Sequence, residues 1–384
     1  MKKKSILFIV NTLTTGGANS SLSALYAEMK EYYDIKVFAL THDGVPEAHG
    51  FKSVLLPRDR DVDAFLGDFN KASAKSRKYK LIIKVLKRIC IKLGISIERL
   101  IYQKAVKNIE KDYFFDSIIA FQEKESAMLA SLFRCDNKLA WIHCDFTKGF
   151  TACDARIYRN FKKIIFVSKY TEKQFLKRYP HYEGKTCFVY NFLDESRIER
   201  LAKEPVTDLD LSDNRFTILS LGRIVPLKRF SKIPHIVSEI KEKGIDLRWI
   251  ILGPAFDIEE HRKLLENIDR YNVKENVYWL GNKLNPYPYM KHSDLCVSLS
   301  TTEACPMVFN EARVLNVPIV STDFGSAGEF VTNGSDGYVC PIESIADTIS
   351  RLCMNSAEYD AIHLQGGRRY INNDSIRQQL LALL

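Results

Sequence analysis

Short apolar runs recur along the chain and alternate with longer, more polar stretches. In the first half they include residues 5–10 (SILFIV), 35–40, 116–121, 139–142, 163–168 and 187–191. After a break come 216–222, 248–253, 277–281, 294–300 and 317–322. The runs are rich in Val, Ile and aromatic residues, are bounded by turn residues, and lie helix-lengths apart. That pattern predicts parallel strands buried on both faces and joined by crossover helices. Both halves carry it, so two doubly wound α/β domains are expected. Apolar density drops across 195–215, where KEPVTDLDLSDN supplies Pro, Asp, Ser and Asn, and this predicts domains over 1–205 and 206–384. The last residues, IRQQLLALL, predict a terminal helix able to pack back on the first domain. In open α/β sheets ligands sit outside the carboxyl ends of the strands, so residues just after the runs are the first candidates for chemistry.

The length of 384 residues suits two domains, each large enough to bury a core without disulfide or metal staples. With 46% hydrophobic and 27% charged residues, wholesale disorder, collagen and a multi-span membrane protein are excluded. The nine cysteines contain no C-x-x-C pair, so zinc ribbons and thioredoxin-type centres are not expected. Most sit in apolar runs and read as reduced, buried thiols of a cytoplasmic protein. Only six residues separate the N-terminal lysines from Asn11, too few for a signal-peptide core, and no run reaches the length of a membrane span.

Charge alters the picture in one place. Net charge is +9, yet residues 71–111 alone hold thirteen Lys and Arg against two Glu. Within them Ile82, Val85, Leu86, Ile89 and Leu93 recur at helical spacing, and Lys84, Lys87 and Arg88 line the remaining surface. A basic amphipathic helix of this kind fits an anionic membrane surface. Nucleic acid is not expected as a partner, because the segment has few aromatics and no recognised binding motif.

Four constellations follow strand-like runs. The first is NTLTTGGA, in which Gly16 and Gly17 open a helix and could admit an anion to backbone N–H groups, or could be a plain tight turn. The second is Arg223 with Lys228, which could clamp a diphosphate or remain two solvated cations. In the third, Glu303 would stand in a loop before a helix that Pro306 starts, and Glu311 along that helix. The pair could accept hydrogen bonds from vicinal hydroxyls. Alternatively Glu303 complements the helix dipole and Glu311 pairs with a cation such as Arg313. The fourth is His143, at a strand end, able to orient a sugar hydroxyl or phosphate or to be structural. Gly184-Lys185-Thr186 is not a Walker motif, since Tyr179 stands where its first glycine belongs. The D-x-D patterns at Asp59, Asp61 and Asp63 read as surface acids on a charged loop.

Together these features resemble the retaining GT-B glycosyltransferases of family 4, the glycosyl transferases of group 1. The resemblance covers nearly the whole chain, and Gly222 to Gly337, with its E-x7-E, is its most specific part. It implies two Rossmann-like domains facing across a cleft, the second holding a nucleotide-sugar. Arg223 and Lys228 match the diphosphate-binding pair, Glu303 the glutamate at donor-sugar hydroxyls, and Glu311 the one that holds the ribose. Gly16 and Gly17 match the loop near the donor phosphate, His143 the histidine near the donor sugar, and Met307 and Val308 fall in the donor-binding helix start. Ser326–Glu329 resembles the loop and helix after the last core strand. The family commonly has Gly-Phe-Gly after the first Glu; here Ala304-Cys305-Pro306-Met307 follows. The implied activity is retaining transfer of a hexose or N-acetylhexosamine, from a UDP-sugar by preference, to a lipid-linked saccharide in capsule or other surface polysaccharide biosynthesis. No metal or other cofactor is implied, and the location is the inner face of the cell membrane. A nucleotide-sugar epimerase and a non-catalytic partner subunit of a transferase remain alternatives.

Overall fold

A computed structural model of the protein describes residues 3–14, 16–41, 50–51, 54–55, 97–145, 152–366 and 373–384. The expected basic helix over 80–93 and the aspartates at 59, 61 and 63 lie outside the described residues. The chain forms two compact units. One comprises Met1–Val167, Glu172–Phe192 and Arg377–Leu384; the other comprises Ser168–Thr171 and Leu193–Ile376.

The first unit is built on a seven-stranded sheet. Its strands are β1 (Ser5–Val10), β2 (Asp34–Ala39), β3 (Val54–Leu55), β4 (Ser117–Ala120), β5 (Lys138–Ile142), β6 (Lys163–Phe166) and β7 (Thr186–Phe188), in the order β3-β2-β1-β4-β5-β6-β7. Every pairing is parallel. The central strands are sealed on both faces, which is why each reads as an unbroken apolar run in the sequence. Phe115, Tyr158, Phe166 and Phe175 fill one side of the sheet. The closing residues of the chain belong to this unit: Arg377 pairs with Glu28, and Asn137 Nδ2 donates to the Leu383 carbonyl at 3.1 Å.

The second unit carries six parallel strands. They are β8 (Phe216–Leu221), β9 (Leu247–Leu252), β10 (Val277–Trp279), β11 (Leu295–Ser298), β12 (Ile319–Thr322) and β13 (Gly337–Cys340), ordered β10-β9-β8-β11-β12-β13. The order reverses direction beside β8, and β8 and β11 therefore flank the switch point at which such sheets bind ligands. Helices here begin with local signals. Asp257 accepts a hydrogen bond from the Glu260 N–H at 2.9 Å, and Glu259 and Glu260 occupy the first turn of helix Ile258–Arg270. That helix buries Leu264 and Ile268. Asn272 and Asn316, with φ of 51° and 57°, end the helices before them in the left-handed conformation that asparagine tolerates.

Two expectations shift. The chain enters the second unit at Leu193, not 206. Helix Glu195–Leu201 buries Ile198, and Asn285 Nδ2 donates to the Leu201 carbonyl at 2.9 Å and to Glu204 at 2.7 Å. The polar stretch after 205 is thus a loop of this unit, tied by Asp208 to Lys283 and Tyr289. Strands β3 and β13 lie outside the expected runs. β13 is a half-buried edge strand beginning at Gly337, where a Cβ would fall 1.8 Å from the Ile319 carbonyl oxygen. Backbone approach, not side-chain apolarity, specifies it.

Candidate active site

In the second unit the carboxyl ends of β8, β9 and β11 converge. Gly222 N–H donates to the Leu252 carbonyl at 2.9 Å, and a Cβ on Gly253 would sit 1.8 Å from the Gly222 oxygen. Glycine is required there by contact between two backbones. The chain then turns through Pro226–Lys228 to Arg229, at φ 54°. The Arg229 guanidinium donates to the carbonyls of Leu299 and Ser300, and the Thr301 N–H donates to the Leu227 carbonyl at 2.8 Å. Arg229, which sequence reading passed over, therefore fastens the turn after β8 to the end of β11.

That fastening brings Lys228 onto Glu303, 75 positions away in the chain, as an ion pair. Glu303 also accepts from Ser300 Oγ at 2.7 Å, and its carbonyl accepts from Ser326 Oγ at 2.7 Å. The side chains of Lys228 and Glu303 keep 24% and 19% of their surface open to solvent. Three loops, after β8, β11 and β12, thus meet at one residue, Glu303, whose carboxylate retains access. Arg223 does not join them. It is exposed, with its guanidinium 4.9 Å from the centre of the Phe256 ring.

Helix Met307–Val314 starts at Pro306 without a side-chain cap. Met307 and Val308 form its half-buried first turn, where backbone N–H groups have no intrahelical acceptor. Ala304 and Cys305 before it are buried. One turn further on, Glu311 is buried, and its Oε1 accepts from the Tyr287 hydroxyl at 3.3 Å. Burial pushes the Glu311 carboxyl up to about 7, opposed by the Tyr287 hydrogen bond and by the Arg197 charge. Arg313 is not its partner. Its guanidinium is buried on Asp336, with Nη2 at 3.1 Å, and donates to Asn310 Oδ1 at 2.9 Å. Arg313 leaves Glu311 because the helix turns the two side chains to different faces, and Asp336 already waits, fully buried, on the other. Glu329 accepts from the N–H groups of Lys169 and Tyr170 at 2.8 and 2.9 Å, both residues of this unit, and the Tyr170 ring occupies the space a side chain at 325 would need.

The first unit has its own polar strand-end cluster. Asn11, after β1, receives at its N–H the Gln122 side-chain oxygen at 2.7 Å; its Nδ2 donates to the Glu123 carbonyl and its Oδ1 accepts from Ser126 N–H. Buried Asn19 donates to the carbonyls of Thr12 and Thr14, shaping the loop before helix Gly17–Met29. Gly16 has open space where a Cβ would be, so the fold itself does not demand glycine there. His143 follows β5, its ring packed 4.4 Å from Phe121 and 5.8 Å from Trp141, centre to centre. Neither ring nitrogen makes a hydrogen bond of proper geometry among the described residues, and both are sealed from solvent. Burial pushes the imidazole down to about 3; the neighbouring Asn191 side chain only weakly opposes this. Glu123 accepts from the N–H groups of His143 and Cys144, and burial raises its carboxyl. Its one sequence signal was its place just past β4.

The chain is similar to several known proteins. Residues 205–366 match the family model of glycosyl transferases group 1. A glycosyltransferase of Methanocaldococcus jannaschii is 28% identical over 197 residues, 50% of this chain and 46% of that protein. The N-acetylgalactosamine-N,N'-diacetylbacillosaminyl-diphospho-undecaprenol 4-alpha-N-acetylgalactosaminyltransferase of Campylobacter jejuni is 30% identical over 143 residues, 37% of this chain and 36% of its own length. The chain thus spans less than half the length of the curated relatives it matches. The crystal structure of Anabaena HepE with UDP and glucose superposes with a TM-score of 0.74 at 20% identity, covering 99% of this chain and 98% of that one. The fold is GT-B, and residues 205–366 are similar to glycosyl transferases group 1.

Proposed function

We propose that the protein is a retaining glycosyltransferase that moves a hexose or N-acetylhexosamine from a nucleotide-sugar, UDP-linked by preference, to a lipid-linked saccharide of a surface polysaccharide. The observation that carries the reading is the meeting of Lys228 and Glu303 at the β8–β11 switch point, beside the open first turn of Met307–Val314 and within the unit that matches group 1. The UDP of HepE and the undecaprenyl-linked substrate named for the Campylobacter relative support the donor and acceptor classes. In this reading Lys228 and Arg223 take the diphosphate, Glu303 accepts donor-sugar hydroxyls, Glu311 accepts those of the ribose, and the N–H groups of Met307 and Val308 face the phosphates. His143, neutral across the working range and with both ring nitrogens sealed, serves the donor sugar through its packing on Phe121 and Trp141, and Gly16 and Gly17 leave the backbone open to the phosphate. The anomeric carbon–oxygen bond to the phosphate breaks, the acceptor oxygen bonds that carbon on the same face, and the acceptor proton passes to the leaving phosphate oxygen.

The test is a thermal-shift screen across UDP-, GDP-, ADP- and CMP-sugars. A donor at 100 times its dissociation constant stabilises the fold by about 2.7 kcal/mol. No shift with any sugar nucleotide would overturn the reading. Binding followed by turnover only after a partner protein is added would favour the subunit reading, which the buried Ala304-Cys305 pair in place of glycines supports. Turnover is expected to survive a chelator; rescue by magnesium or manganese would bring back the aspartates at 59 and 61. Among the described residues no helix is long and apolar enough to cross a membrane. The basic segment 71–111 is the proposed membrane contact. Liposome co-sedimentation should rise with anionic lipid and fall when Lys84, Lys87 and Arg88 become Glu.

A further inference from the structure

Glu311 has one hydrogen-bond donor among the described residues, and nothing in the sequence pointed to it. That donor is Tyr287, the first residue of the five-residue helix Tyr287–Lys291. Asn285 Oδ1 accepts from the Tyr287 N–H at 3.2 Å, and Asn285 Nδ2 is itself anchored to Leu201 and Glu204, so the ring is held from below. The hydroxyl reaches Oε1 alone; Oε2 accepts no hydrogen bond among the described residues. We propose that Tyr287 is the positioning residue for Glu311: its hydroxyl fixes the carboxylate plane, favours the ionised form, and leaves Oε2 to accept a ribose hydroxyl. This rests on the reading of Glu311 as the ribose ligand given above.

The surroundings leave that task to Tyr287. Arg197, on helix Glu195–Leu201, acts on Glu311 as a charge without a hydrogen bond and is itself exposed, with Asp194 nearby to offset it. Cys296 of β11 lies close to the carboxylate, and burial holds its thiol protonated, pushed up to about 12. Lys228 also acts on Cys296 but is ion-paired with Glu303. Arg313, on the same helix as Glu311, is neutralised by Asp336. Tyr287 remains a donor at working pH, because burial and the Glu311 charge both raise its own hydroxyl. A ribose hydroxyl bonds best to the ionised acid, so acid must compete with the nucleotide. With the Glu311 carboxyl near 7, the competition begins close to neutrality.

The experiment measures Kd for UDP-glucose by calorimetry from pH 5.5 to 8.5. This probe lacks a phosphate monoester, so its own charge stays constant over the range. For the native sequence, Kd should rise about tenfold per pH unit below neutrality. Tyr287→Phe should move that midpoint upward by about one pH unit and weaken binding severalfold at pH 7, with less effect at 8.5. Glu311→Gln should bind weakly and show no such pH dependence. Superimposable profiles for the native protein and Tyr287→Phe, with Glu311→Gln weakened, would overturn the role of Tyr287 and leave the ribose assignment standing. Native affinity in Glu311→Gln would overturn the ribose assignment itself. The protonated-carboxyl infrared band lost in Glu311→Gln gives the midpoint without ligand; its failure to move in Tyr287→Phe would also overturn the proposal.

Discussion

The two units end their central strands in different chemistry. After β4 and β5 the first unit places a neutral histidine on aromatic rings, and a half-buried glutamate that accepts from backbone N–H groups. After β8 and β11 the second places Lys228 and Glu303 side by side with solvent access, and one turn of helix away a Glu311 whose carboxyl burial raises. The first arrangement is shape and hydrogen bonding with its charge neutralised inside; the second holds charge in reserve. A group kept neutral by burial can recognise a hydroxyl but cannot offset a departing diphosphate, whereas an accessible lysine can. The charge that keeps solvent access at a strand end therefore lies in the second unit.

The largest effect is expected at Lys228. Lys228→Ala should lower kcat by about 10²–10³ with the fold intact, as for loss of a group that stabilises developing charge. Arg223→Ala, which gives up only an exposed contact with Phe256, should also cripple turnover without unfolding the protein, because the guanidinium is free to swing to the phosphates. Steady-state rates near native for both would show that the charge in the second unit is idle. Next, Glu311→Gln should weaken nucleotide-sugar binding by about 1.5–3 kcal/mol per charge-assisted hydrogen bond lost. The same change should stabilise the empty protein above pH 7. The folded carboxyl titrates near 7 and the unfolded one near its ordinary 4.5, so the folded state loses up to about 3 kcal/mol of stability as pH rises from 4.5 to 7, and little beyond. Thermal melts at pH 5 and 8 check this; an unchanged pH dependence in the variant would mean Glu311 is solvated.

The smallest effect belongs to the first unit. His143 is held down near 3, while in the unfolded chain it titrates near 6.5. The unfolded state therefore binds the proton first, and native stability falls as pH drops below 6.5. By pH 5 this should amount to about 2 kcal/mol. His143→Gln should lose that much less stability between pH 7.5 and 5, read by urea denaturation. Equal acid sensitivity in both proteins would place a charged, solvated histidine there and erase the difference between the units.

Both cores were legible because parallel strands covered on two faces must be continuously apolar, and β1, β5, β8 and β9 are. β13 was not, since half-buried edge strands carry no such run and Gly337 marks a backbone contact invisible in one dimension. The division at Leu193 escaped notice because a polar loop looks the same whether it joins two domains or decorates one. At the site, the order of residues along the chain already shows which types stand after which strands: Arg223, Lys228, Glu303, Glu311 and His143 all lie past strand ends or on the helix that follows. Which of them meet was decided by tertiary structure. Lys228 reached Glu303 through the crosslink made by Arg229, Arg223 went to Phe256, and Arg313 abandoned Glu311 for Asp336. Tyr287 and Glu123 became visible only when burial left a carboxylate with a single hydroxyl donor, or with two backbone N–H groups. Local patterns set strands and turns because those depend on neighbours in the chain. Charge pairing and titration depend on desolvation and on distances between residues far apart in the chain, and these exist only once the sheets have packed.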